Sequence, residues 1–251
     1  MIETAPDFYD NISGFYDSMT RFERRIAAVE KSIRQLTMQF DTGTIADVAC
    51  GTGVHAIALG RMGYNVIGFD ASEQMIALAR QNARRFGVNT IRFEQGEFQS
   101  PKILTSGPFA LILCLGNSLP HIASQRKLAE ILASWKSALS KGGGIVLELL
   151  NYDIILETQN RLIGVTVDST GTIIRFYDFT SPRLTFNILR LTTEENKPHV
   201  EWHATPLTPF RVNDIIDAAK QAGYTSTLVY SSLTQEEWTT SSKNTVLFLR
   251  P

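Results

Sequence analysis

The chain has 251 residues, 43% of them hydrophobic and 20% charged, which suits one globular domain of this size carrying a sizeable insertion. With 24 Lys and Arg against 25 Asp and Glu, and no basic run, it is not expected to bind nucleic acid or a membrane surface, because both need clustered cations. No apolar run reaches the roughly 20 residues that cross a bilayer, and Met1-Ile2-Glu3-Thr4 lacks the regions of a signal peptide, so a cytoplasmic protein acting on a small molecule is expected, compatible with a homo-oligomer.

Residues 1–20 hold two aromatic-acid clusters, Asp7-Phe8-Tyr9-Asp10 and Gly14-Phe15-Tyr16-Asp17, which show no core periodicity and are expected to precede a helix. That helix runs from Phe22, with Ile26, Val29, Ile33 and Leu36 on one apolar face. Thr44 to Ala49 reads as a short buried strand. Cys50-Gly51-Thr52-Gly53 is a flexible turn that lets backbone N–H groups approach a ligand. Val54, Ile57, Ala58 and Met62 recur at helical spacing, Gly63 stops that helix, and Asn65 to Phe69 forms a second strand ending in Asp70. Such a βαβ unit opens a crevice at the carboxyl ends of its strands, where a terminal carboxylate can accept from both hydroxyls of a ribose, so a nucleoside-containing ligand is expected. Gly51, Gly53 and Ala56 also satisfy the GxGxxG/A pattern, with Asp70 lying 70 − 51 = 19 positions after Gly51, and local spacing alone permits NAD.

Ser72 caps a helix with a core stripe of Met75, Ile76, Ala79, Ala83 and Phe86, ending at Gly87. A third strand, Thr90 to Glu94, leads to Gly96-Glu97-Phe98, where a carboxylate can accept from an adenine amino group and an aromatic can cover the ring. Phe109 to Cys114 is almost continuously apolar, as in a central strand buried on both faces, and it delivers Leu115, Gly116 and Asn117 to the crevice. Gly116 lets a substrate approach the backbone, and Asn117 and His121 supply donors and acceptors around a reacting group. A helix from Ser124 is expected to close at Lys141-Gly142-Gly143, and Gly144 to open the strand Ile145 to Leu150. From Arg161 to Thr205 alternating β-branched and aromatic runs predict antiparallel strands inserted over the crevice, where Arg175, Tyr177, Arg183, Arg190, Trp202 and His203 would set selectivity. A last helix before Gly223 and strands over Thr225 to Tyr230 and Asn244 to Arg250 complete the chain. Cys50 and Cys114 sit at strand ends with no metal-ligand spacing and no need of a disulfide.

Asp47-Val48-Ala49-Cys50-Gly51-Thr52-Gly53 followed by Asp70-Ala71-Ser72 resembles the S-adenosylmethionine site of class I methyltransferases. Cys114-Leu115-Gly116-Asn117-Ser118 with His121, and then Asn151-Tyr152-Asp153, is similar to glycine N-methyltransferase and its relatives. The resemblance is dense from Asp47 to Asp153 and thin beyond. It implies an α/β fold, a Rossmann-like, doubly wound, seven-stranded and mostly parallel sheet with an inserted antiparallel β substrate subdomain. The corresponding division is an N-terminal helical cap over 1–40, a cofactor-binding domain over 41–153 and 206–251, and an inserted lid over 154–205.

The implied cofactor is S-adenosylmethionine, with S-adenosylhomocysteine as product and no metal. Its implied contacts are Asp47, Ala49, Cys50, Gly51, Gly53, Asp70, Ala71, Met75, Glu97, Phe98, Leu115 and His121. The family's tyrosines fall at Tyr9 and Tyr16, and its methionine-carboxylate arginine at Arg24 or Arg25. Tyr16, Gly116, Asn117 and His121 are the candidate catalytic group, placed to stabilise the sulfonium methyl or orient the acceptor. Transfer of a sulfonium methyl is an in-line displacement in which orientation alone can lower the barrier by about 7–11 kcal/mol, and a neutral amine needs no strong general base. N-methylation of an amine or amino-acid-like acceptor is therefore expected, with O-methylation of a small acid or hydroxyl compound, or NAD-linked oxidoreduction, as alternatives. Glycine N-methyltransferase carries an arginine before Asn-Tyr-Asp that holds the amino-acid carboxylate. Here that position is Leu150, which cannot donate, so the resemblance does not carry glycine over as the acceptor.

Overall fold

The structure is a computed structural model that describes residues 2–40, 43–168, 171–180, 183–194 and 197–251. Two helices, α1 (Ala5–Thr20) and α2 (Phe22–Thr37), precede β1 (Ile45–Val48), α3 (Val54–Arg61), β2 (Val66–Asp70), α4 (Glu73–Arg85) and β3 (Arg92–Gln95). There follow α5 (Pro101–Ser106), β4 (Phe109–Cys114), α6 (Gln125–Ser137), β5 (Leu139–Leu150) and α7 (Tyr152–Thr158). The chain then runs through β6 (Leu162–Asp168), β7 (Gly171–Thr180), β8 (Arg183–Glu194), β9 (Lys197–Leu207), α8 (Val212–Gln221), β10 (Ser226–Tyr230) and β11 (Asn244–Arg250). Among the described residues no helix is long and apolar enough to cross a membrane.

Seven strands form one sheet in the order β3-β2-β1-β4-β5-β11-β10, parallel except that β11 runs antiparallel to both neighbours. Strand order reverses between β1 and β4, the switch point at which such sheets bind ligands. Burial on both faces follows from alternation along β4: Ile112 and Cys114 join the core under α6 and α8, and Leu111 and Leu113 the core under α2, α3 and α4. The remaining strands form a separate four-stranded antiparallel sheet, β6-β7-β8-β9.

The first twenty residues depart from expectation. They form α1, capped by Thr4, with Phe8, Ile12, Phe15 and Met19 buried at helical spacing against Met75, Ile173 and Ile188. The acids of the same segment dock it: Asp10 accepts from the Ser72 hydroxyl and, at 3.3 Å, from the Gln74 N–H at the start of α4, and Asp17 accepts from Asn82 Nδ2 at 2.8 Å. Glu3 donates its N–H to the Ala204 carbonyl of β9 at 2.8 Å, so α1 lies clamped between α4 and the second sheet.

The glycine run after α6 differs too. The helix stops at Ser137 and β5 starts at Leu139, pairing with Phe109 before the register jumps to Gly144 opposite Leu111. A Cβ on Gly143 would stand 2.9 Å from the Phe109 carbonyl and one on Gly144 2.7 Å from the Phe40 ring, so these glycines admit close neighbours in an irregular strand instead of ending a helix. The short helices α5 and α7, unexpected from apolar spacing, are each capped by a side chain, Ser100 onto the Lys102 N–H and Asn151 onto the Asp153 N–H.

Asp47 lies within β1, 1% exposed, with Oδ2 accepting from the Ala56 N–H at 3.1 Å. Burial, only partly offset by that hydrogen bond, raises its carboxyl from 3.8 to about 7. A carboxyl with a raised folded value contributes stability fully at pH below about 4, and loses it as pH rises through about 7. Asp47→Asn keeps an oxygen for Ala56 and removes the titration. Urea titrations across that range should show the wild type losing stability relative to the variant, by no more than about 4 kcal/mol. Equal pH slopes would remove Asp47 as the source. Phe8→Ala should cost about 3 kcal/mol in the same assay, because the ring fills the junction of α1 with the second sheet; a change below about 1 kcal/mol would mean that α1 unfolds apart from the rest.

Candidate active site

A cavity of about 810 Å³ opens where the carboxyl ends of β1 to β5 meet, roofed by α1 and the inward face of the second sheet. Its floor is the loop between β1 and α3. Ala49 and Gly51 hold left-handed backbone there, at φ 58° and 55°, and Gly51 donates its N–H to Asp70 Oδ2 at 2.8 Å. Asp70 Oδ1 accepts from the Ser72 N–H at 2.9 Å. Burial lifts the Asp70 carboxyl to about 6 although both N–H groups pull it down. Each oxygen keeps lone-pair capacity for a ligand. Cys50 and Ala71 line the same wall, and burial pushes the Cys50 thiol upward, away from nucleophilic chemistry.

Beyond β3, Glu97 and Phe98 line the cavity. The Phe98 carbonyl accepts from Trp135 Nε1 at 2.9 Å and its ring lies 6.2 Å from the indole, so α6 fixes this aromatic. Beyond β4 come Leu115, Gly116 and Asn117. Gly116 has φ 77°, and a Cβ on it would meet nothing within 4 Å. Asn117, also left-handed at φ 70°, accepts from the Leu150 N–H at 3.0 Å and donates to the Tyr152 hydroxyl at 3.1 Å. Its amide therefore braces the end of β4 against β5, and the residue lines the cavity. His121 Nε2 lies 3.1 Å from the Tyr9 hydroxyl, and Nδ1 is buried without a partner. Burial lowers the imidazole to about 4, so it is neutral near pH 7.

From the roof, Tyr9 and Tyr16 reach the cavity, the Tyr16 hydroxyl standing 3.9 Å from where a Gly51 Cβ would be. Arg25 lines it as well and bears electrostatically on Tyr16, His55 and Glu148.

Four expected cofactor contacts lie outside the wall. Arg24 is exposed on another face of α2. Asp47 sits beneath the loop, bound to Ala56. Gly53 faces α4, where a Cβ would come within 3.2 Å of Ala79 and of the Phe93 ring. Met75 packs with Phe8 and Ile12 under α1. In turn the cavity includes His55, Glu148, Arg175, Tyr177, Lys243 and Asn244, none of them singled out as cofactor or catalytic groups. Glu148 carried a signal, a carboxylate alone in an apolar strand, and burial raises its pKa. Arg175 and Tyr177 follow the two-residue period of β7 with Ile173. The Asn244 backbone reaches the site through its pairing with Leu150 across β11 and β5, for which no local signal exists.

The glycine-floored loop, the Asp70 acceptors, the Glu97-Phe98 pair and the Arg25 cation fit the ribose, adenine and carboxylate of S-adenosylmethionine. A family model described as a methyltransferase domain matches residues 45–143. Over 151 residues the chain is 29% identical to the glycine/sarcosine N-methyltransferase of Parasynechococcus marenigrum (strain WH8102), covering 60% of this chain and 53% of that one. It is 33% identical over 146 residues to the glycine N-methyltransferase of Mus musculus, covering 53% and 49%. The chain thus spans about half the length of these curated relatives. The fold is shared with an S-adenosylmethionine-dependent methyltransferase from Clostridium acetobutylicum at a TM-score of 0.79 and 15% identity, over 96% of this chain and 98% of that one. Residues 45–143 thus match a methyltransferase domain, and the chain is similar, as a distant homologue, to the S-adenosylmethionine-dependent glycine and sarcosine N-methyltransferases.

Proposed function

We propose that the chain methylates the nitrogen of a small amine or amino-acid-like acceptor. The observation that carries this reading is the neutral His121–Tyr9 pair beside the open Gly116 turn. An imidazole held at about 4 is too weak a base to strip a hydroxyl, yet its nitrogen and the Tyr9 oxygen can accept from an amine N–H and aim the lone pair. A neutral amine needs orientation and exclusion of water, which a roofed cavity supplies. The names of the curated relatives, N-methyltransferases of glycine and sarcosine, support the same reading.

When bound, S-adenosylmethionine supplies a methyl group on a positively charged sulfur. In this reading Asp70 accepts from the ribose hydroxyls, Glu97 from the adenine amino group, and Phe98 covers the ring. Arg25 holds the carboxylate, and Ala49, Cys50, Gly51, Ala71 and Leu115 form the surrounding wall. Tyr16 and the Gly116 carbonyl orient the reacting methyl and the acceptor, and Asn117 keeps that turn in place.

Labelled methyl from S-adenosylmethionine should enter N-methyl products when the protein is given a pool of small amines, amino acids and hydroxy acids. Label confined to esters or ethers would replace nitrogen by oxygen as the acceptor atom. Arg25→Met should weaken S-adenosylhomocysteine binding about 10- to 100-fold by calorimetry, the usual range for a hydrogen bond to a charged group, and Arg24→Met should leave it within about 2-fold. The reverse pattern would move the carboxylate contact to Arg24.

A further inference from the structure

We propose that Arg175, on the inward face of β7, binds the carboxylate of the methyl acceptor, so that the acceptor class is an amine bearing an acid group. The inference rests on the reading of the chain as a small-molecule N-methyltransferase. Arg175 lines the cavity, and its neighbours two positions away, Ile173 and Tyr177, are buried on the same face. The register sets it opposite Gly164 of β6 and Ile188 of β8. A Cβ on Gly164 would stand 3.3 Å from a terminal guanidinium nitrogen, so the glycine leaves room for the group to lie flat across β6.

What surrounds the guanidinium is the observation that points to a ligand. Electrostatically it faces the phenols Tyr16 and Tyr177 and the cation Arg21. Among the described residues it makes no ion pair, and its Nε is buried without a hydrogen-bond partner. Arg161 and Arg190, in or beside the same sheet, are by contrast ion-paired with Asp178 and Glu201, so although the Arg190 Nε is likewise buried without a partner, the missing counter-charge sets Arg175 apart from them. A half-buried cation left without a counter-charge is unfavourable, and the parallel N–H groups of a guanidinium match a carboxylate in two hydrogen bonds. The hydrogen bond from Asn117 to Tyr152, whose phenol bears electrostatically on Tyr177, joins this part of the roof to the Gly116 turn. An acceptor tethered by its acid group at Arg175 thus presents its amine toward that turn; Leu150, at the end of β5, cannot hold the acid group, and Lys243 beside it and Arg25 are the other cations on the cavity wall.

The test uses protein saturated with S-adenosylhomocysteine and titrated with glycine, β-alanine or 4-aminobutanoate, each beside its primary amide, and with aminomethylphosphonate. The readout is the Arg175 Nε–H resonance, identified as the one lost in Arg175→Lys. At least one amino acid should shift it saturably while its amide does not, and Arg175→Met should weaken that amino acid about 10- to 100-fold with product affinity unchanged. The inference is overturned if no carboxylate shifts the resonance, if the amides shift it equally, or if the phosphonate alone does so. It is also overturned if the product shifts the resonance by itself and Arg175→Met weakens product binding, which would place Arg175 on the cofactor. Failure of the methyltransferase reading shows separately, as carboxylate binding at Arg175 with no labelled methyl transferred to any amine.

Discussion

The loop leaving β1 forms the cavity floor, and two buried carboxylates hold its shape. Asp47 takes the Ala56 N–H from below and fixes the start of α3, and Asp70 takes the Gly51 N–H from the neighbouring strand. Between them the Cys50 N–H donates to the Phe69 carbonyl at 2.9 Å. A left-handed alanine costs about 1–2 kcal/mol, and Ala49 keeps that conformation because strand pairing on one side and hydrogen-bonded carboxylates on the other leave the chain no alternative. The same bonds orient Asp70, so its remaining acceptor directions are set before any ligand arrives.

The floor is only half of the site. Tyr9 and Tyr16 arrive on α1, Arg175 and Tyr177 on β7, and none of these is positioned by the parallel strands. They depend on the docking of α1, which uses three faces at once: apolar residues toward Met75 and Ile188, acids toward the start and middle of α4, and tyrosines toward the cavity. A roof held by a few apolar contacts and hydrogen bonds can open at lower cost than the sheet beneath can deform.

That three-sided use of α1 is also why the helix was hard to read from the sequence. Phe8, Ile12, Phe15 and Met19 do recur at helical spacing, but Tyr9 and Tyr16 set aromatic rings beside that stripe and blur its boundary with the polar side. The βαβ unit and its carboxylate were legible because every part is local: apolar run, glycine turn, apolar run, acid. That Arg25 and not Arg24 lines the cavity was legible in principle, since Arg25 lies three after Phe22 and four before Val29, on the face that packs inward, and Arg24 does not. Glycines 142–144 misled because a helix end and an irregular strand both favour glycine, and only the Phe109 carbonyl and the Phe40 ring decide between them. The contribution of Lys243 and Asn244 could not be read at all, because it depends on antiparallel pairing between segments about ninety residues apart.

Charge completes the site's asymmetry. In sheet order the acids Asp70 and Glu97 follow β2 and β3, toward one edge, whereas Lys243 and Asn244 stand on the other side of β1, next to the end of β5. Arg25 comes up from α2 beside Glu148, and Arg175 comes down from the roof. A long ligand with hydroxyl and amino donors at one end and a carboxylate at the other meets complementary groups in only one orientation, since reversal would set its carboxylate against Asp70 and Glu97. The Gly116 turn and His121 fall between these poles, where Glu148 Oε2 accepts from the Gly116 N–H at 3.4 Å and burial raises the Glu148 pKa. A positive charge held there meets that carboxyl as well as the oxygen lone pairs and aromatic faces around it, so its stabilisation is shared among them.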